Sequence, residues 1–217
     1  MWRSLTDKCL LGSGANTTAR GNPVVDADFV HFEGLRELYM AGCTDVTDAA
    51  FVYLRGIHTL DMTDCDQDTI TDAAFAHLAG IQRLSIDSCR QATITDAAFA
   101  HLRGIQLLNM SNCGQLSDAF FVHLRGIHTL FMWYSAQPAI TDAAFVHLRG
   151  IHTLVMNGCR QATITGASFS SLLGIHTLAM QNCRDAQITS AYSLGLPVIL
   201  SDPLSCDALS CIFSPRG

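Results

Sequence analysis

The chain has 217 residues, of which 49% are hydrophobic and 15% are charged, and its formal net charge at pH 7 is −6. This composition supports a sizeable buried core and excludes a chain that is disordered throughout. The acidic balance disfavours nucleic acid as a general partner, because phosphate binding requires clustered Lys and Arg. Apolar runs are too short for a membrane span, and Thr6, Asp7 and Lys8 interrupt any signal-peptide core, so we expect neither.

The first 23 residues precede the regular part of the chain. Gly12 to Thr18 is small and polar, which predicts a flexible segment or a partial cap over residues 1–23. From position 24 to about 190 the sequence repeats every 22 or 24 residues, and the clearest units are Ile57 to Gly80 and Ile81 to Gly104. Self-similarity at this period predicts a solenoid of about seven units, in which each unit buries its apolar face against its neighbours.

Each unit contains a strand pattern followed by a helix pattern. Residues 59–63 alternate polar and apolar side chains, which is the strand period. Residues 70–80 follow, where Thr71 or Asp72 is suited to cap a short helix and Gly80 to end it in the left-handed conformation. We therefore predict strand, loop, short helix and glycine turn in every unit.

The unit Ile57-x-x-Leu60-x-Met62-x-x-Cys65 resembles the cysteine-containing leucine-rich repeat, with Met in place of the usual second-strand Leu. The resemblance implies an α/β solenoid with parallel strands on a concave face and short helices on a convex face. In that family the concave face binds partners, and the repeat is common in F-box substrate receptors of ubiquitin ligases. The pattern ends after about residue 190, so we predict an irregular cap or tail over residues 191–217, which also fits a truncated longer array. Cys206 and Cys211 lie there, and we assign them no role.

Stacking the units turns equivalent positions into columns. A zinc site needs four ligands that converge, whereas a column spreads its members along a line. We therefore predict no metal and buried small residues, Ser135 included, whose S–H or hydroxyl donates to the loop backbone at the strand end. Unpaired thiols favour a reducing compartment, the cytoplasm or the nucleus. The column holds Cys43, Cys65, Cys89, Cys113, Ser135, Cys159 and Cys183.

Two further columns are rich in His, and a third holds Asp. The first His column precedes the strands (His58, His128, His152, His176), and the second lies on the helices (His31, His77, His101, His123, His147). We predict solvated surface rows, with a metal- or pH-responsive role as the alternative. The Asp column falls in the first helical turn, where a carboxylate favours the helix dipole. Nothing outside the repeat pattern suggests a nucleophile with its base or a cofactor site, so we predict no enzyme, no cofactor and no bound metal.

The outward strand positions vary most between units, and strand geometry places them on the concave surface. Aromatic side chains concentrate in one unit and acidic ones two or three units away, which predicts a protein-binding surface, its acidic part selecting a basic partner segment. We predict a non-enzymatic module that binds a protein partner there, or, more narrowly, the substrate-recognition part of an F-box-type ligase. The predicted binding residues are Tyr39, Asp61, Asp64, Asp87, Phe131, Trp133 and Tyr134.

Overall fold

The computed structural model describes residues 8–10, 24–135 and 138–201. Within these residues, nine short parallel strands form one sheet in chain order. Equivalent positions pair from unit to unit, as Leu38 pairs with Leu60 and Leu60 with Leu84. The strands are β1 (Lys8–Leu10), β2 (Glu37–Tyr39), β3 (Thr59–Asp61), β4 (Arg83–Ser85), β5 (Leu107–Asn109), β6 (Thr129–Phe131), β7 (Thr153–Val155), β8 (Thr177–Ala179) and β9 (Val198–Ile199).

Short helices line the other side of the sheet, and most of them are 3₁₀ rather than α. An α-helix with its side chains is about 10 Å wide, about twice the 4.8 Å spacing of neighbouring strands, so the tighter 3₁₀ form suits close stacking. The α-helices are α1 (Asp72–Phe75), α2 (Asp118–Phe121) and α3 (Asp185–Ser193). The 3₁₀ helices are Asp26–Phe32, Asp48–Leu54, Ala76–Leu78, Asp96–His101, Val122–Leu124, Asp142–Leu148 and Phe169–Leu172.

One continuous core lies between the sheet and the helices. It is built from the columns that the repeat predicts: the second strand position, the Cys position and the helical Phe are fully or almost fully buried in every unit. Neighbouring Phe rings touch, with centroids 5.9 Å apart for Phe75 and Phe99 and 5.0 Å apart for Phe145 and Phe169. The parallel strands and short helices confirm the predicted solenoid architecture.

The helix starts connect each unit to the next. Thr71 caps α1 by accepting a hydrogen bond from the backbone N–H of Ala73, as predicted. Asp48 of the preceding unit accepts from both the backbone N–H and the hydroxyl of Thr71, at 2.7 Å each. The same pair of hydrogen bonds recurs from Asp26 to Asp142. The Asp column therefore links neighbouring units, in addition to its favourable interaction with the helix dipole. We call these contacts the Asp–Thr ladder; its donors are Thr47, Thr71, Thr95, Ser117, Thr141 and Thr165.

The glycine that ends each helix is left-handed, as predicted: Gly80 has φ +88° and Gly104 has φ +86°. No atom would obstruct a Cβ at either position, so the positive φ alone accounts for the preference for glycine.

The sheet continues into both predicted end segments. β1 lies within residues 1–23 and pairs with β2, while α3 crosses the boundary expected after residue 190. β9 pairs with β8, and Leu196 is buried in the core, so the chain adds one more strand beyond the repeats. The segment 12–18 and both Cys206 and Cys211 lie outside the described residues.

Candidate functional site

The outward side of the strands carries a second, smaller apolar cluster. Its buried members are Phe131, Trp133, Val155 and Ala179, and Leu107 packs against them. Register explains the grouping, because Phe131 pairs with Val155 and Val155 pairs with Ala179 on successive strands. Outward side chains in register lie about 4.8 Å apart, so apolar residues in consecutive units bury one another.

This cluster corrects part of the predicted aromatic surface. Phe131 is 0% exposed and Trp133 is 6% exposed, so the expectation that both side chains are exposed is wrong. The two rings meet edge to face with centroids 6.5 Å apart, and Val155 and Ala179 complete their surroundings. Strand alternation predicts the side of the sheet on which a residue lies, but not how completely its neighbours cover it.

Tyr134 is the aromatic residue of this unit that remains accessible. It follows β6, is 61% exposed and has φ +50°, which is the left-handed region. Bulky side chains rarely adopt that conformation, and the other units hold Gly, Ser, Asp or Asn there. The Tyr134 ring lies over Gly158 of the next unit, where an added Cβ would come within 2.5 Å of Cδ1. Tyr134 is thus held in one position while most of its surface faces solvent.

Two buried polar groups without partners flank Tyr134. Within the described residues, neither Trp133 Nε1 nor Ser135 Oγ has a hydrogen-bond partner. The predicted role of the Cys column is confirmed for thiols, since Cys65 Sγ donates to the Met40 carbonyl at 3.2 Å and Cys159 Sγ to that of Met132 at 3.0 Å. It is wrong for Ser135, whose hydroxyl makes no such bond within the described residues. A C–O bond is shorter than a C–S bond, so the hydroxyl reaches less far.

The predicted acidic residues do come together. Asp64 N–H donates to the Asp87 carbonyl, and Asp64 is exposed on its loop. Burial raises the pKa of Asp61, which the charges of Asp87 and Asp64 raise further, while hydrogen bonds from Thr63 oppose the shift. Asp87 accepts hydrogen bonds from Ser88 and from Asn112. These carboxylates form an acidic group at the ends of β3 and β4.

Tyr39 lies apart from the aromatic unit, at the far side of the acidic group. It pairs in register with Asp61, is 7% exposed and donates its hydroxyl to Glu37 at 3.0 Å. Burial, followed by the hydrogen bond to Glu37, raises the pKa of Tyr39.

Two arginines at the same edge of the sheet were not predicted as site residues. Arg90 Nε donates to the Asn112 carbonyl at 3.3 Å, and Arg160 Nε donates to the Asn182 carbonyl at 2.8 Å. Both side chains are exposed and lie in the loops after the Cys column. The sequence signal was present, because Arg follows Cys in these units where Asp66 follows Cys65. The edge therefore carries Asp64, Asp66 and Asp87 together with Arg90 before Tyr134, and Arg160 beyond it.

The described residues contain no group of three or more His, Cys, Asp or Glu side chains that could hold a metal ion. Burial raises the pKa of Cys43 to about 11 and that of Cys65 to about 12, so these thiols stay protonated at neutral pH. Protonated, separately hydrogen-bonded thiols fit a structural column rather than a nucleophile.

Comparison with solved structures identifies the architecture. Ninety-three chains match in fold. Internalin C2 from Listeria monocytogenes aligns with a TM-score of 0.55 and 18% identity, over 86% of this chain and 88% of that one. TLR13, solved in complex with ssRNA13, aligns with a TM-score of 0.59 and 16% identity over 78% of this chain. The protein has the leucine-rich-repeat fold.

Similarity to leucine-rich-repeat proteins is structural only. Yeast Rad7, solved in complex with Elc1, gives a TM-score of 0.50 and 17% identity over 67% of this chain and 42% of that one. This chain spans about a quarter (26%) of the TLR13 chain. No family model and no curated protein sequence matches it. Within the described residues, no helix has the length and apolar character needed to cross a membrane.

Proposed function

We propose that this protein is a non-enzymatic interaction module whose protein partner contacts the edge of the sheet around Tyr134. The observation that carries the proposal is Tyr134 itself, an exposed aromatic side chain fixed in a left-handed backbone conformation. Exposed Tyr is enriched among residues that dominate binding energy, and its rigidity lowers the entropy lost on binding.

Three departures from the repeat fall on consecutive residues of this one unit, which supports a functional role. Residues 133–135 combine a left-handed Tyr with an indole N–H and a hydroxyl that have no partner within the described residues, whereas the equivalent left-handed positions elsewhere hold Gly or a small polar residue. Other units of the solenoid hold Gly or Asn at the position of Tyr134 and Cys at the position of Ser135, and these residues avoid the same local costs. Departures of this kind from the local rule are typical of functional sites.

The charges along the edge suggest how the partner is oriented. Asp64 and Asp66 lie exposed on one side of Tyr134, with Arg90 between them and Tyr134, and Arg160 and Arg184 lie exposed on the other side, next to Asp185. A partner segment with basic residues at one end and acidic residues at the other would match this order. Asp61, Asp87 and Tyr39 would contribute at the acidic end. Phe131 and Trp133 would not contact the partner directly but would stabilise the strand that positions Tyr134.

Site-specific crosslinking tests the proposal. A photoreactive phenylalanine analogue replaces Tyr134 in one sample and Tyr192, a 53% exposed residue of α3, in another. We expect one partner to crosslink at position 134 and not at 192. The purified partner is then measured against Tyr134→Asn, a residue that the chain already uses at Asn112 and Asn182. Equal crosslinking at both positions, or unchanged affinity of the folded variant, would exclude this site.

Two narrower proposals have tests of their own. A role in an F-box-type ubiquitin ligase predicts that Skp and cullin subunits co-purify with the wild-type protein, and their absence would exclude it. A cytoplasmic or nuclear location is supported by the six free thiols of the Cys column, all buried. Fractionation of cells that express the full-length protein tests the location.

A further inference from the structure

The opposite edge of the sheet, where each helix turns into a strand, carries a row of histidines. In three consecutive units the residue before the strand is His128, His152 or His176, and all three side chains are exposed. Arg125 and Arg149, also exposed, lie in the turns three residues before His128 and His152. We call these five residues the turn edge. It lies at the beginning of the strands, whereas Tyr134 lies beyond their ends.

The three imidazoles form a stack. The centroids of His128 and His152 are 4.5 Å apart with an interplanar angle of 14°, and those of His152 and His176 are 4.6 Å apart. Nδ1 of His128 lies 3.1 Å from Thr129 Oγ1, and Nδ1 of His152 lies 3.1 Å from Thr153 Oγ1. With Nδ1 occupied, Nε2 is the nitrogen left to bind a ligand.

Protonation would give the turn edge five positive charges in a row. The strand residues that follow the rings, Thr129, Thr153 and Thr177, are neutral. The pKa of His152 is lowered, first by partial desolvation and then by the charges of its two neighbours, His128 and His176. No carboxylate contributes to this shift. Stacked imidazolium rings repel each other, and an anion at their outer nitrogens would relieve that repulsion.

We propose that the turn edge is a docking surface for a carboxylate-rich protein segment, which binds more tightly as the stacked histidines become protonated. Carboxylates accept hydrogen bonds from Nε2–H and form ion pairs with Arg125 and Arg149. The net charge of −6 for the whole chain disfavours a long, uniformly charged nucleic acid, whereas a short acidic segment meets only this local row of cations.

A labelled peptide of alternating Asp and Ser is the probe, because Asp stays ionised over the range in which His titrates. We expect its affinity for the full chain to rise about tenfold between about pH 7.5 and about pH 5.5, since each exposed ion pair adds roughly two- to five-fold. The triple variant His128→Gln, His152→Gln, His176→Gln should lose this rise. It is expected to fold, because Gln82 and Gln106 occupy the same column.

Matched variants separate the contribution of the stacked histidines from that of the two arginines. His58→Gln changes the same column outside the stack and should leave the pH dependence intact. Arg125→Ala with Arg149→Ala should weaken binding at both pH values, and Ala79 already occupies the equivalent position in another unit. Circular dichroism at both pH values establishes that every variant is folded.

Three results would overturn the proposal. The first is a peptide affinity of the wild type that does not change with pH. The second is a triple variant whose peptide affinity still changes with pH as in the wild type. The third is an oligothymidylate that binds more tightly than the peptide and depends on the same histidines. Tyr134→Asn should bind the peptide like the wild type. Loss of peptide binding in the Tyr134 variant would mean that the turn edge and the Tyr134 site are not separate surfaces, and would also overturn the proposal. If the wild type does not bind the peptide, the proposal for the turn edge fails and the proposal for Tyr134 is unaffected.

Discussion

The ring of Tyr134 lies directly over Gly158, so that a Cβ added at position 158 would come within 2.5 Å of Tyr134 Cδ1 and 2.7 Å of Cε1. One unit therefore supplies the aromatic side chain, and the next supplies the space in which it rests. The relationship fixes Tyr134 without burying it.

Gly158→Ala should destabilise the protein by about 2–4 kcal/mol, from left-handed strain and from the clash with Tyr134. Gly104→Ala is the matched control, because Gly104 is left-handed but has no atom within 4 Å of an added Cβ. That control should cost about 1–2 kcal/mol. Urea denaturation measures both. Equal losses would mean that the Tyr134–Gly158 contact contributes nothing.

Asp96→Asn should destabilise the protein by roughly 1–3 kcal/mol, because it disrupts the charge-assisted bonds to Ser117 N and Oγ. Asp185→Asn is the control, since Asp185 also lies in a first helical turn but is exposed and outside the Asp–Thr ladder. It should change the free energy of unfolding by about 0.5 kcal/mol or less. If both variants lose the same amount, the helix dipole explains the Asp column and the ladder does not.

The repeat period was enough to predict the strands, the glycine turns and the core, because every unit repeats the same apolar columns. Column reasoning also placed His128, His152 and His176 at one position of three consecutive units, and the structure adds that their rings stack. The burial of Phe131 could not be read in this way. It depends on Val155, Ala179 and Trp133 contributing apolar side chains to the same patch.

Ser135→Cys should stabilise the protein by about 1 kcal/mol, because a thiol at this position reaches the carbonyl of the preceding unit as Cys159 does. The reciprocal change, Cys113→Ser, should destabilise it by about 1–2 kcal/mol, through loss of the bond from Sγ to the Ile86 carbonyl. Thermal unfolding under reducing conditions measures both. A Ser135→Cys protein that melts below the wild type would contradict this account of the Cys column.

The contribution of His152 to the stability of the wild type should fall as the pH is lowered through the histidine range. The pKa of His152 is lower in the folded protein than in the unfolded chain, so the unfolded chain binds the proton first. The stability that His152 contributes is therefore present above about pH 6.5 and is lost as the pH falls. Melting temperatures between about pH 7.5 and pH 5.5 should decline less steeply for His152→Gln. A steeper decline in the variant would mean that the stack does not oppose protonation.

The affinity of the purified partner for the wild type and for Tyr134→Asn is the most direct test of the proposed binding site. Asn accepts the left-handed conformation more readily than Tyr does, so the variant should be at least as stable as the wild type. We expect its affinity to fall by tenfold or more, roughly the effect of removing an aromatic hot spot. A folded Tyr134→Asn protein that binds its partner as tightly as the wild type would contradict the central claim.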